Sequence, residues 1–142
     1  HTGDTNTYMQ FHAADQWRVV TGGVERLEAN NTQVSVTGNF VASGNVTAYS
    51  DERLKDNITL ISDPIGKLKQ LRGVTWDWND NADELQQSLP SVGVIAQDVE
   101  KVLPELVTDR DNGYKGVDYA KLTGLLIEAI KEQQKEINDL KV

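Results

Sequence analysis

The stretch TAYSDERLKDNI, Thr47–Ile58, is where the grammar of this sequence changes. Residues 1–49 contain no lysine and are rich in Thr, Gly, Asn and Val, the composition of short strands and turns. From Ser50 onward lysine enters, glycine thins, and apolar residues recur at helical spacing. The switch divides the chain into a β-rich part, 1–49, and a mixed part, 50–142, so the fold class expected is α+β.

Upstream of the switch, MQF and WRVV are short β-prone runs separated by HAADQ and followed by the breaker TGG, which predicts a hairpin. Further on, VTGNF (Val36–Phe40) is echoed by ASGNV (Ala42–Val46) at a spacing of six. Strands this short bury little within one chain. Two arrangements remain open: a β-meander in a single chain, or pairing with neighbouring copies. The second would hide Val34, Val36, Phe40, Val41 and Val46 and cover strand edges.

Downstream, Ile61, Ile65, Leu68 and Leu71 fall on one helical face after SDP, where Ser62 or Asp63 can cap and Pro64 suits the first turn. Gly73 ends that helix, GVTWDW and VGVIA read as strands around a polar loop, and QDVEKVL reads as a short helix stopped by Pro104. LVTDRDNGYKGV predicts a hairpin, with Asn112-Gly113 supplying positive φ angles. The last segment, residues 118–141, is the clearest helix. With Thr123, Ile130 and Ile137 at heptad position a, Tyr119, Leu126, Gln133 and Leu140 fall at d. A helix of this length is marginal alone and must pack on something. Leu122, Leu125 and Ile127 lie off the seam and suit packing on the same chain; Ile137, Leu140 and Val142 form a narrow strip suited to a self-partner.

Composition narrows the chemistry. The 142 residues, 38% hydrophobic, suffice for one modest domain or a small domain with an elongated tail. The absence of cysteine excludes disulfides, thiolate nucleophiles and cysteine-ligated zinc. With 22 acidic against 14 basic residues, the charge of −8 repels nucleic-acid backbones and anionic membranes, so neither is an expected partner. No run approaches the roughly 18 apolar residues that span a bilayer. The abrupt start at His1 reads as a piece cut from a longer protein.

Few side chains suggest a site. His1 and His12 are too far apart and too isolated for metal-ligand spacing. Asp77, Asn79 and Asn81 match the first spacings of a calcium loop, yet Ala82 replaces its turn glycine and Ser88 its bidentate glutamate. No cofactor and no metal are expected. There remain Ser50 and Lys55, which have two readings: a capped turn ahead of a helix, or a nucleophile with its base. Serine is a poor nucleophile until its proton is taken, and an amine takes it only when uncharged. Moving a lysine from about 10.4 to about 7–8 requires roughly 3–4 kcal/mol of differential solvation, from burial or a nearby cation such as Arg53. Five residues apart is about 140° around a helix and opposite faces of a strand, so a working pair requires a bend. Ser50-Asp51 can start one.

The motifs SDERLKDNI, LKQLRGVTWDW, VGVIAQDVEKVLPELV and GVDYAKLTGLLIEAIKEQ, in that order, resemble the C-terminal intramolecular chaperone domain of bacteriophage tail fibres, tailspikes and endosialidases, a family of self-cleaving serine peptidases. The resemblance covers Ser50 to about Gln134. It implies a homotrimer in which the domain registers three chains of a fibre, then releases itself. Ser50 would be the nucleophile, Lys55 the general base and Tyr49-Ser50 the bond cut. Residues 1–49 would be the distal, intertwined trimeric β-structure of the parent fibre, and the terminal helix part of a three-helix bundle. The resemblance also implies a fibre mounted on the virion, a host receptor or glycan bound through that fibre, and release of the chaperone domain in the host cytoplasm. A permanent cap on a structural or receptor-binding fibre tip, never cleaved, is the competing reading.

Overall fold

The computed structural model describes residues 2–88, 91–110 and 112–141; His1 and Val142, both weighed above, lie outside them. The chain divides into two compact units, His1–Ser50 and Asp51–Val142.

The first unit is an antiparallel four-stranded meander, β1 (Tyr8–Ala13), β2 (Gln16–Thr21), β3 (Val24–Ala29) and β4 (Val34–Val36), in sequence order. The expected first hairpin is present, turned at Asp15 with φ of 57°. The TGG breaker is itself a two-residue hairpin turn, because Gly22 and Gly23 both take positive φ, 58° and 78°, as the tightest hairpins require. It launches a third strand, β3, that sequence alone hid: Glu25, Arg26 and Glu28 break its apolar pattern. The next turn is held by Asn30, whose Oδ1 accepts from the backbone N–H of Thr32 (2.9 Å) and of Gln33 (3.0 Å). Beyond β4, where Thr37 N–H still bonds to Arg26 C=O at 2.9 Å, the echo VTGNF and ASGNV forms no further strand among the described residues.

Register sorts the meander into two faces. Met9 pairs with Val19, Phe11 with Trp17, Val19 with Leu27, Trp17 with Ala29, Leu27 with Val36 and Ala29 with Val34, so one face is continuously apolar. Phe11 is nonetheless 86% exposed and Met9 70%. The opposite face pairs Gln10 with Arg18, Arg18 with Glu28 and Glu28 with Ser35. Val20 is the one buried residue of this unit among those described.

The second unit has a core. Two helices and a 3-10 turn supply the buried cluster at its centre: Val99 from α3 (Ala96–Val102), Leu103 and Leu106 before and in the turn Pro104–Leu106, and Leu125 from α4 (Leu122–Leu140). Each contributes about 1.5–3 kcal/mol by leaving water. Around them lie Ile61, Leu71, Val94, Val107, Val117 and Leu122. Two small antiparallel pairs frame this core: β5 (Val74–Trp76) with β6 (Ser91–Gly93), and β7 (Val107–Asp109) with β8 (Lys115–Val117). Among the described residues of the β7–β8 turn Gly113 takes positive φ (83°), with Asn112 instead accepting the Tyr114 N–H on its side chain.

The first helix is shorter than its apolar pattern predicts. α1 runs only Pro64–Leu68, started by Asp63, whose carboxylate accepts from the Gly66 N–H at 3.1 Å. Pro64 fixes the start after Ile61, and tight bonds from Gln70 and Leu71 to Lys67 and Leu68 unwind the end. Ile61 and Leu71 still reach the core from the flanking chain. The polar loop after β5 contains a one-turn helix, α2 (Glu84–Gln87).

α4 answers both readings of the last segment. Leu122, Leu125 and Ala129 turn toward the core, while Thr123, Leu126, Ile130, Gln133, Ile137 and Leu140, the heptad seam, are exposed. Ile127, expected on the packed side, is exposed as well. Tyr119, assigned to position d, sits in a 3-10 turn (Tyr119–Lys121) before α4. There its hydroxyl accepts the Val94 N–H at 3.3 Å.

Candidate functional site

The segment carrying Ser50 and Lys55 is built around Asp51. With extended backbone (φ −66°, ψ 133°), Asp51 caps a 3-10 turn, Glu52–Leu54, by accepting the Arg53 N–H on its carboxylate at 2.9 Å. The turn closes through Leu54 N–H to Asp51 C=O (3.2 Å) and Lys55 N–H to Glu52 C=O (3.0 Å). This is a bend of the kind that the five-residue spacing demands.

Arg53 does not act as expected. Its guanidinium donates from Nε and Nη2 to the Asp51 carboxylate, at 3.0 and 2.7 Å. That pairing holds Asp51 below the usual carboxylate range and raises Arg53. Its positive charge is thus offset by the carboxylate beside it. Tyr49, Ser50 and Lys55 are all exposed, Tyr49 to 98%.

The other sequence candidates resolve locally. In the loop of Asp77, Asn79 and Asn81, the Asn79 side chain accepts the Asn81 N–H (2.9 Å) and Asp83 accepts the Gln86 N–H (2.8 Å). These are turn and helix caps. Beside them Trp76 and Trp78 meet edge to face, centroids 5.7 Å apart. Gly93 lies directly under Tyr119, where a Cβ would strike the phenol oxygen.

His12 was set aside because it is isolated in sequence. Strand pairing changes its neighbourhood: its Nε2 lies 3.4 Å from Glu28 Oε2, and Glu25 lies close to both. Such cross-strand proximity becomes visible only once the third strand and its register are known.

Residues 50–108 match a family model described as the chaperone of endosialidase. Three curated relatives are long tail fiber proteins Gp37. That of Salmonella phage S16 is 32% identical over 128 residues, aligning with 87% of this chain, which spans 17% of that protein. That of Enterobacteria phage Ox2 is 34% identical over 113 residues, covering 73% of this chain and 45% of its own length. That of Enterobacteria phage K3 is 29% identical over 152 aligned positions, covering 97% of this chain and 11% of the fibre protein. The chain therefore spans less than half the length of each of these relatives.

Proposed function

We propose, from the premise that residues 50–108 belong to the chaperone-of-endosialidase family, that this chain is the end of a phage tail fibre whose second unit trimerises, registers the fibre and then cuts itself free at Tyr49-Ser50. One observation carries the reading. The family match opens at Ser50, the residue where the two compact units divide.

In the proposed reaction Ser50 Oγ attacks the Tyr49 carbonyl carbon while Lys55 Nζ takes the hydroxyl proton. The C–N bond breaks as the acyl group passes from nitrogen to oxygen, and the Ser50 amine leaves protonated. Water then hydrolyses the ester, giving a Tyr49 carboxylate and a free Ser50 hydroxyl. One turnover suffices. An amine acts as a general base only when uncharged, and cover from water favours that form. Packing by neighbouring copies supplies that cover, which makes cutting conditional on assembly.

The physical advantage lies in order of events. Inter-chain β-structure nucleates slowly because its contacts are non-local. A bundle of three α4 helices, joined along the exposed seam, holds the three fibre ends at high effective concentration and in register. Loss of the bundle after winding leaves no easy path back. Residues 1–49 stay with the virion fibre, which would carry any contact with a host receptor or glycan; the cut domain stays in the host cytoplasm.

Intact mass and denaturing electrophoresis of freshly made protein test this. Fragments ending at Tyr49 and beginning at Ser50 are expected, absent in Ser50→Ala and Lys55→Ala, with a trimer by sedimentation in both variants. A trimer that never splits would leave only a permanent cap; a monomer that splits as fast as the trimer would end the coupling of cutting to assembly.

A further inference from the structure

We propose that His12, Glu25 and Glu28 form a divalent-cation site, fitted to zinc, that ties β1 to β3 across β2. It is the one place among the described residues where three such side chains converge, with their ligand atoms within 4.8 Å of one another. The donor set, one imidazole and two carboxylates, is one that zinc accepts. The separation also fits. Ligands bonded to tetrahedral zinc at about 2.0–2.1 Å stand about 3.3–3.4 Å apart, and His12 Nε2 stands 3.4 Å from Glu28 Oε2. Nε2 is the ring nitrogen that faces the Glu28 carboxylate, while Nδ1 is enclosed without a hydrogen-bond partner among the described residues. Both side chains are about four-fifths buried, 18% and 20% exposed, which limits competition from water.

Arg18 is the obstacle to weigh. Its Nη1 lies 3.3 Å from Glu25 Oε2, and its guanidinium carbon is 5.9 Å from the Tyr8 ring centroid. A carboxylate has two oxygens, so Arg18 on one leaves the other for the metal and orients it, as outer partners of metal ligands do. Charge favours occupancy: two carboxylates face one guanidinium, leaving a negative charge that a cation offsets. Need favours it too. A 50-residue unit without cysteine and with one buried residue among those described lacks a core or a disulfide to hold it, and small units of this kind use a metal or self-association as the staple. Three protein ligands leave a fourth position for water.

The test uses the full chain, dialysed against a chelator and then titrated with zinc or cobalt(II). We expect one metal per chain, a rise in melting temperature of about 5 °C or more at saturation, and the intense visible absorption of tetrahedral cobalt. His12→Gln and Glu28→Gln, which keep size and hydrogen-bonding capacity, should each abolish the cobalt spectrum and the shift. Asp139→Asn, on exposed α4, should change neither. Equal uptake by His12→Gln, a weak octahedral cobalt spectrum, or no uptake by the parent chain would each overturn the site. All three ligands lie outside residues 50–108, so such a failure leaves the chaperone reading where it stands.

Discussion

The two units dispose of their apolar residues in opposite ways. The second collects Val99, Leu103, Leu106 and Leu125 in an interior that water does not reach. The first aligns Met9, Phe11, Trp17, Val19 and Leu27 on one sheet face and leaves its outer members in solvent. One unit is thus finished within a single chain, and the other leaves an apolar face uncovered. The proposed function calls for this division, with an assembling module that folds before the fibre it registers.

The largest expected effect tests that division directly. Leu125→Ala removes a fully buried side chain and should cost the second unit about 2–5 kcal/mol, read by denaturant unfolding. Phe11→Ala, although larger in volume lost, should change the stability of the isolated chain by no more than about 0.5 kcal/mol while weakening assembly. Comparable losses in both would erase the distinction. A smaller effect sharpens the interior of the second unit: Gly93→Ala drives a methyl into the Tyr119 hydroxyl and should cost about 1–3 kcal/mol. Adding Tyr119→Leu should restore part of the loss, and a double-mutant cycle measures that coupling.

What sequence made legible follows the same division. The elements of the second unit announce themselves because their apolar residues face a core in the same chain: Ile61 and Leu71 on either side of α1, Val99 in α3, Leu125 in α4. Pattern and burial have one cause there. In the first unit the hairpin was legible, but β3 was not, because its charged residues Glu25, Arg26 and Glu28 serve the polar face of the sheet. The segment after Val36 reads as strands, yet beyond the bond from Thr37 N–H to Arg26 C=O it forms none among the described residues. At the candidate site, the bend between Ser50 and Lys55 was legible from Asp51, whereas the closure of Arg53 onto Asp51 was not: two residues apart, they meet only because the 3-10 turn brings them together.

α4 carries the comparison within one helix. Its Leu122, Leu125 and Ala129 edge belongs to the finished core, and its Leu126, Ile130 and Ile137 edge to the unfinished seam. Ile130→Glu should therefore leave single-chain stability within about 0.5 kcal/mol and abolish the proposed trimer in sedimentation. If it unfolded the chain, the seam would be part of the core after all.

The smallest effect concerns acid. Among the described residues the groups with displaced titration are Asp51, Arg53, Asp98 and Lys115, all in the second unit, so the acid response attributable to them belongs there. Asp98 is the informative one. Arg72 donates to its Oδ2 from Nε at 2.9 Å and from Nη2 at 2.7 Å, joining the first turn of α3 to the chain just before β5. These bonds hold Asp98 below the usual carboxylate range. A carboxylate depressed in the folded state binds fewer protons there than when unfolded. Its contribution is therefore full above the ordinary range near pH 4 and fades as pH falls through the lower folded value. Arg72→Gln should flatten the acid limb of the stability curve below about pH 4 and leave its shape above pH 5 unchanged. Because Arg72 is largely in solvent, added salt should shrink even this difference. An acid limb identical in parent and variant at low salt would mean that the Arg72–Asp98 link adds nothing to a unit already held by its interior.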